Sequence, residues 1–231
     1  MRSGKTNYRR ISPWLAVLGL FGCLGPPSVV AVQVEDAPGS ENPLRANVVS
    51  LIRALDRLGC PLPDKVIQEL SARSVDAESR RDYREKVERL LAPWCLIEVS
   101  INPESRVKAA RGPASARLSQ GQPTCFIVKV HNEAGVTQAL AVTGPHLRTA
   151  GDNAQGWLDA EIRHLLSDRL SGQETEYVVL CVRTGQSGKR EATLVFDVGQ
   201  GSQDLGFRAE VPILFTIHPA PGGQPLPHHA P

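Results

Sequence analysis

The chain is poor in the residue patterns that announce a reaction centre. No G-x-S-x-G elbow, P-loop, H-E-x-x-H pair or C-x-x-C pair occurs in its 231 residues. Their absence removes the commonest nucleophile, phosphate-cradle, zinc and thiol-redox signatures. Aromatic residues are scarce, at 5%. Of the three tryptophans only Trp94 and Trp157 lie beyond the leader, too few for the stacking platform of a polysaccharide-binding face. An excess of one charge is missing too. Of 26 basic residues, Arg2, Lys5, Arg9 and Arg10 sit in the leader, and the other 22 meet 24 acidic ones. So even a balance argues against a nucleic-acid module, which relies on basic excess. The longest apolar run, residues 14–24, falls short of the roughly 20 residues that a spanning helix needs.

What is present begins with that leader. Basic residues precede the apolar run, Gly25-Pro26-Pro27 closes it, and Val29-Val30-Ala31 offers small residues for cleavage. This pattern predicts a signal peptide over 1–31 and an exported protein, periplasmic or extracellular. Leu20-Phe21-Gly22-Cys23 is similar to a lipobox, which would lipidate Cys23 and leave an anchored lipoprotein. Arg9-Arg10 also fits a twin-arginine signal, although paired basic residues are common in leaders. Residues 32–41 have no periodicity and read as a flexible spacer.

Residues 42–93 carry helical spacing. Asn42-Pro43 is an N-cap followed by proline, Val48, Leu51, Leu55 and Leu58 recur on one face, and Gly59 ends the run. Leu62-Pro63-Asp64 starts a shorter helix with Val66, Ile67 and Leu70. A third helix is expected from near Asp76 to Ala92, stopped by Pro93. Its surface pairs Arg81 with Glu85, Arg84 with Glu88 and Glu85 with Arg89 at i,i+4 spacing.

From Trp94 the apolar spacing changes to alternation. Cys95, Ile97, Val99 and Ile101 share one strand face; Phe126, Val128 and Val130 share another; Val178, Leu180 and Val182 a third. Two further runs, Ala192 to Val198 and Val211 to Ile217, repeat the pattern around a Gly/Gln/Asp-rich turn. Val107 marks a short edge strand, Leu140 to Val142 extends the sheet, and the segment around Trp157 and Ile162 fits strand or helix. Short strands between Gly/Pro turns predict an α+β protein: about three helices, then an antiparallel immunoglobulin-like β-sandwich over 94–219. Residues 220–231 form a Pro/Gly/His tail.

Cys60, Cys95, Cys125 and Cys181 remain after processing, and four cysteines allow three pairings. Cys60 and Cys95 follow the first and third helices, which places them at one end of an up-down-up bundle. Cys125 and Cys181 have the separation of an inter-sheet bridge. Parity opposes that, since Cys125 shares its face with Lys129 and His131, and Cys181 with Arg183. A bridge between neighbouring strands on the outer face stays open.

Three places carry ligand chemistry. His131 and Glu133 lie on one strand face and are competent metal ligands, yet no second histidine cluster completes a zinc site. Asp197 and Asp204 flank a glycine-rich loop that offers oxygen to calcium without EF-hand spacing. Arg106, Lys108, Arg111 and Arg117 form a basic group that lacks interleaved aromatics. His228-His229 lies in a Pro-rich tail that cannot fix a site. No cofactor and no catalytic residue is expected.

Residues 126–135 (Phe-Ile-Val-Lys-Val-His-Asn-Glu-Ala-Gly) and 188–207 resemble the leading region of secreted bacterial metallohydrolases of the CehA/McbA, or PHP-like, type. Ile101-Asn-Pro-Glu-Ser-Arg-Val-Lys108 fits the same pattern. The resemblance spans roughly Trp94 to Pro219. It implies a sandwich beside a hydrolase rather than a hydrolase, because the metal-binding groups of that family belong to a later region. The expected function is a non-catalytic accessory module for an extracytoplasmic protein or polymer. A metal-dependent hydrolase fragment, or small metal-binding enzyme, is the rival. A structural envelope protein anchored at Cys23 is the third.

Overall fold

In the computed structural model, residues 42–72, 79–148, 156–199 and 205–220 are described. The leader with Cys23, the spacer, Asp204 and His228-His229 lie outside them. Among the described residues, three α-helices precede nine strands: α1 Pro43–Arg57, α2 Asp64–Ser71, α3 Arg80–Leu91, β1 Cys95–Ile101, β2 Val107–Arg111, β3 Arg117–Ser119, β4 Thr124–Asn132, β5 Ala141–Thr143, β6 Leu158–Arg163, β7 Thr175–Thr184, β8 Gly188–Asp197 and β9 Arg208–His218. The strands form two sheets, ordered β2-β1-β4-β7-β6 and β3-β9-β8-β5.

The α+β class holds, but the sheets are mixed rather than antiparallel. β1 runs parallel to β4, and β3 runs parallel to β9. The β8–β9 hairpin is antiparallel in unbroken register from Gly188↔Ile217 to Asp197↔Arg208. Its Ala192, Leu194, Phe196, Val211, Ile213, Phe215 and Ile217 face a shared core with Val99, Ile101, Phe126, Val128, Val130, Val178, Leu180 and Val182 of the five-stranded sheet.

The five-stranded sheet is covered on its other face as well. Ile127, Tyr177 and Val179 pack there against Leu44, Val48, Leu51 and Leu55 of α1 and Tyr83, Val87 and Leu91 of α3. This explains why β7 reads Tyr-Val-Val-Leu-Cys-Val: a strand buried on both sides has no polar face to alternate with. α1 begins as its sequence predicts, with Asn42 Oδ1 accepting from Leu44 N. It ends in a Schellman turn in which Gly59 N donates to Asp56 O and Cys60 N to Leu55 O. Gly59 takes φ 73 there, the left-handed conformation that glycine tolerates.

Two expectations need correction. α3 begins at Arg80, capped by Ser79, whose Oγ accepts from Asp82 N, rather than near Asp76. Cys95 does not share a face with Ile97. The β1–β4 register shifts between them, with Cys95 opposite Ile127 and Ile97 opposite Val128. This bulge sets two steps of β1 against one of β4 and turns Cys95 into the helical layer. Gly112 lies against the bulge, where an added Cβ would meet Cys95 O at 2.3 Å.

Candidate functional site: a charged cleft beside α3

The helices cover only part of the outer sheet face. Along β4 that face runs Cys125, Ile127, Lys129, His131, so it is apolar beneath the helices and charged beyond them. Glu98 and Ser100 stand beside Lys129 and His131 in the parallel β1 register. Thr175 lies opposite His131. With Arg84 and Glu88 of α3, these residues and Val99 line a cleft of ≈ 290 Å³.

Its charges are spent largely on one another. Lys129 Nζ lies 3.0 Å from Glu88 Oε1. Arg84 meets both carboxylate oxygens of Glu174, at 2.8 and 2.9 Å. The i,i+4 pair of Arg84 with Glu88 is therefore replaced by two bonds that tie α3 to the sheet side, whereas Arg81 and Glu85 do pair along the helix at 2.9 Å. His131 Nε2 and Glu133 Oε1 come within 3.1 Å, as their same-face spacing predicts. Nothing in the sequence marked Arg84, Glu88 or Glu98 for this cleft, because they reach it only once α3 is laid over β1 and β4.

The other expected sites are dispersed. Asp197 Oδ2 holds Arg208 Nε at 2.7 Å, and its Oδ1 accepts from Gly199 N at 2.7 Å. Arg106 stacks over Phe207, and Arg111 donates to the carbonyls of Leu96, Gly112 and Ala114. Lys108 is exposed on β2 and Arg117 on β3, which belong to different sheets. Among the described residues, no group of three or more His, Cys, Asp or Glu is placed to hold a metal ion.

The cysteines gather differently from any pairing of Cys60 with Cys95. All four described cysteines are free thiols. Cys125 and Cys181 are register partners across β4 and β7, with their sulfurs 3.8 Å apart. Cys60, in the turn after α1, packs against the same cluster as Cys125 and Cys181, and its Sγ donates to Leu58 O at 3.8 Å. Cys95 is buried, and desolvation pushes its thiol up to about 12.

No family model and no curated protein matches the chain. Among solved structures it is similar to the surface layer protein SbsC, domains 1–6, at 14% identity over 46% of this chain and 12% of that one, with TM-score 0.27. It is also similar to the solution structure of Amebosin, at 8% identity over 52% of this chain and 96% of that one, with TM-score 0.27. Likenesses this loose carry no argument about the cleft. No described helix is long and apolar enough to cross a membrane.

Proposed function

We propose that the chain is an exported, non-catalytic interaction module of immunoglobulin-like type, which engages an extracytoplasmic partner through the cleft beside α3. The leader supports export. The observation that carries the reading is the pairing of the cleft's charges: Arg84 with Glu174 and Lys129 with Glu88. Here Glu174 is held by Arg84 and Glu88 by Lys129 in an open cleft, an arrangement that suits recognition of a polar surface. The extended strings shared with the leading region of CehA/McbA-type proteins motivate the accessory role.

One observation favours the rival enzyme: His131 and Glu133 are close enough to share a metal. Elemental analysis and hydrolase assays of the purified protein separate the readings. The module predicts no stoichiometric zinc or calcium and no turnover that depends on His131 or Glu133. Ester, amide or phosphate hydrolysis abolished by His131→Ala would overturn it. A photo-crosslinking residue at Ser100, in exporting cells, should give an adduct with one extracytoplasmic partner that Lys129→Glu removes. A lipid mass on Cys23 would instead favour the anchored envelope protein.

A further inference from the structure

The three thiols beneath α1 form a site distinct from the cleft. Its geometry follows from backbone hydrogen bonding along β7. Tyr177 N donates to Asn47 Oδ1, and Tyr177 O accepts from Asn47 Nδ2, so both groups of this residue turn away from β4. Glu174 O, three residues earlier, accepts instead from Asn132 N of β4. In an antiparallel pair these directions alternate with period two. Val179 and Cys181 therefore also turn their backbone groups away from β4, and Cys125↔Cys181 is a non-hydrogen-bonded pair. Such pairs hold their Cα atoms about 4.5 Å apart with side chains at closest approach. That spacing lies within the range that disulfides bridge, roughly 4.4–6.8 Å.

We propose that Cys125 and Cys181 are a cross-strand redox pair, oxidised to a disulfide by an incoming disulfide-bearing oxidant, with Cys60 as a third thiol competing for Cys125. Two facts place the chemistry here. The sulfurs are already 3.8 Å apart on directly opposed residues, so closure needs side-chain rotation without movement of the strands. Both cysteines are also only half-buried, whereas Cys95 is 3% exposed and faces the helical layer. The two thiols share one S···S contact in which either sulfur can donate, so either can supply the attacking thiolate.

The step balances as follows. One thiolate of the pair attacks one sulfur of the oxidant, a mixed disulfide forms, and the first thiol of the oxidant leaves with the proton that the attacking cysteine gave up. The other cysteine then loses its proton and attacks the Sγ of the first, and the second thiol departs. Two protein thiols are oxidised by two electrons, and one external disulfide is reduced to two thiols. Where Cys181 is missing, Cys60, which packs against the same cluster, is the remaining half-buried thiol and would tie the turn after α1 to β4.

Peptide mapping tests this directly, because tryptic cleavage puts the cysteines on separate peptides, 58–65, 90–106, 118–129 and 170–183. The full chain is reduced, desalted, incubated with oxidised glutathione at neutral pH, blocked with N-ethylmaleimide and digested without reductant. Expected is one dominant linkage, between 118–129 and 170–183, with an intact mass lower by two hydrogens before blocking. In Cys181→Ser the linkage should move to 58–65 with 118–129, and Cys95→Ser should match the wild type. The pair is overturned if wild-type protein links any peptide to 90–106, keeps glutathione on Cys181, or stays fully alkylated. The competing role of Cys60 is overturned if Cys181→Ser yields no linkage between 58–65 and 118–129. The wild-type map decides the main point without any variant that must fold.

Discussion

Asn47 completes β7 by standing in for a strand. Its side-chain amide donates to Tyr177 O at 3.1 Å and accepts from Tyr177 N at 2.8 Å. The β6 ladder ends at Arg163↔Val179, so the next edge groups of β7 would otherwise be buried without partners. Asn47→Ala removes both bonds and leaves a buried N–H and C=O unpaired. The expected loss of stability is about 2–4 kcal/mol, read from urea unfolding. Asn47→Asp should also destabilise, because a carboxylate cannot donate to Tyr177 O.

The Tyr177 side chain poses the reverse case. Its hydroxyl is buried with no hydrogen-bond partner among the described residues, and burial raises its titration above the ordinary phenol range. Tyr177→Phe keeps the ring and discards the unsatisfied group. The variant should unfold at a higher urea concentration, by about 1 kcal/mol. A lower midpoint would show that the hydroxyl has a partner, such as a buried water.

Glu176 gives a pH test. It is 3% exposed, on the inner face with Val178, and takes hydrogen bonds from Ser171 N and Oγ. Burial raises its carboxyl above the ordinary glutamate value of 4.5, against the smaller opposing effect of those bonds. The folded state therefore holds this proton more tightly than the unfolded chain. Its contribution is fully present below pH 4.5 and is lost as pH rises through the folded value. Glu176→Gln should be nearly neutral in acid and stabilising at neutral pH. Tm of variant and wild type, compared across that interval, checks the sign.

Adjacent residues of β9 should respond oppositely. Phe215 is fully buried in the inter-sheet core, whereas Leu214 is 58% exposed on the other face. Phe215→Ala is expected to cost about 3–5 kcal/mol. Leu214→Ser should stay within about 0.5 kcal/mol. Similar losses at both sites, measured by thermal unfolding, would mean that the outer face of β8–β9 is covered in solution.

The hairpin of β8 and β9 was legible because one face meets the core and the other meets water, so alternation survives in the sequence. The same logic misplaced Cys95, since a bulge inverts side-chain direction without leaving a mark in residue spacing. β7 announced a strand but not its second covering, because Cys181 and Arg183 occupy the parity that continues the apolar row of Tyr177 and Val179. The cleft was half legible. His131 on β4 and Glu133 in the turn after it are two residues apart in sequence, but Arg84 and Glu88 join His131 through a helix packing that local pattern does not encode.

Burial of β7 on both faces also sets an order of events during synthesis. The helices leave the ribosome early, yet the strand on which α1 lies is made near the end of the fold. Until then the apolar stripe of α1 lacks the central strand on which it rests, and contacts of such long sequence separation form slowly. A chain halted before residue 175 would leave that stripe incompletely covered, a form suited to capture by a chaperone that holds nascent chains open.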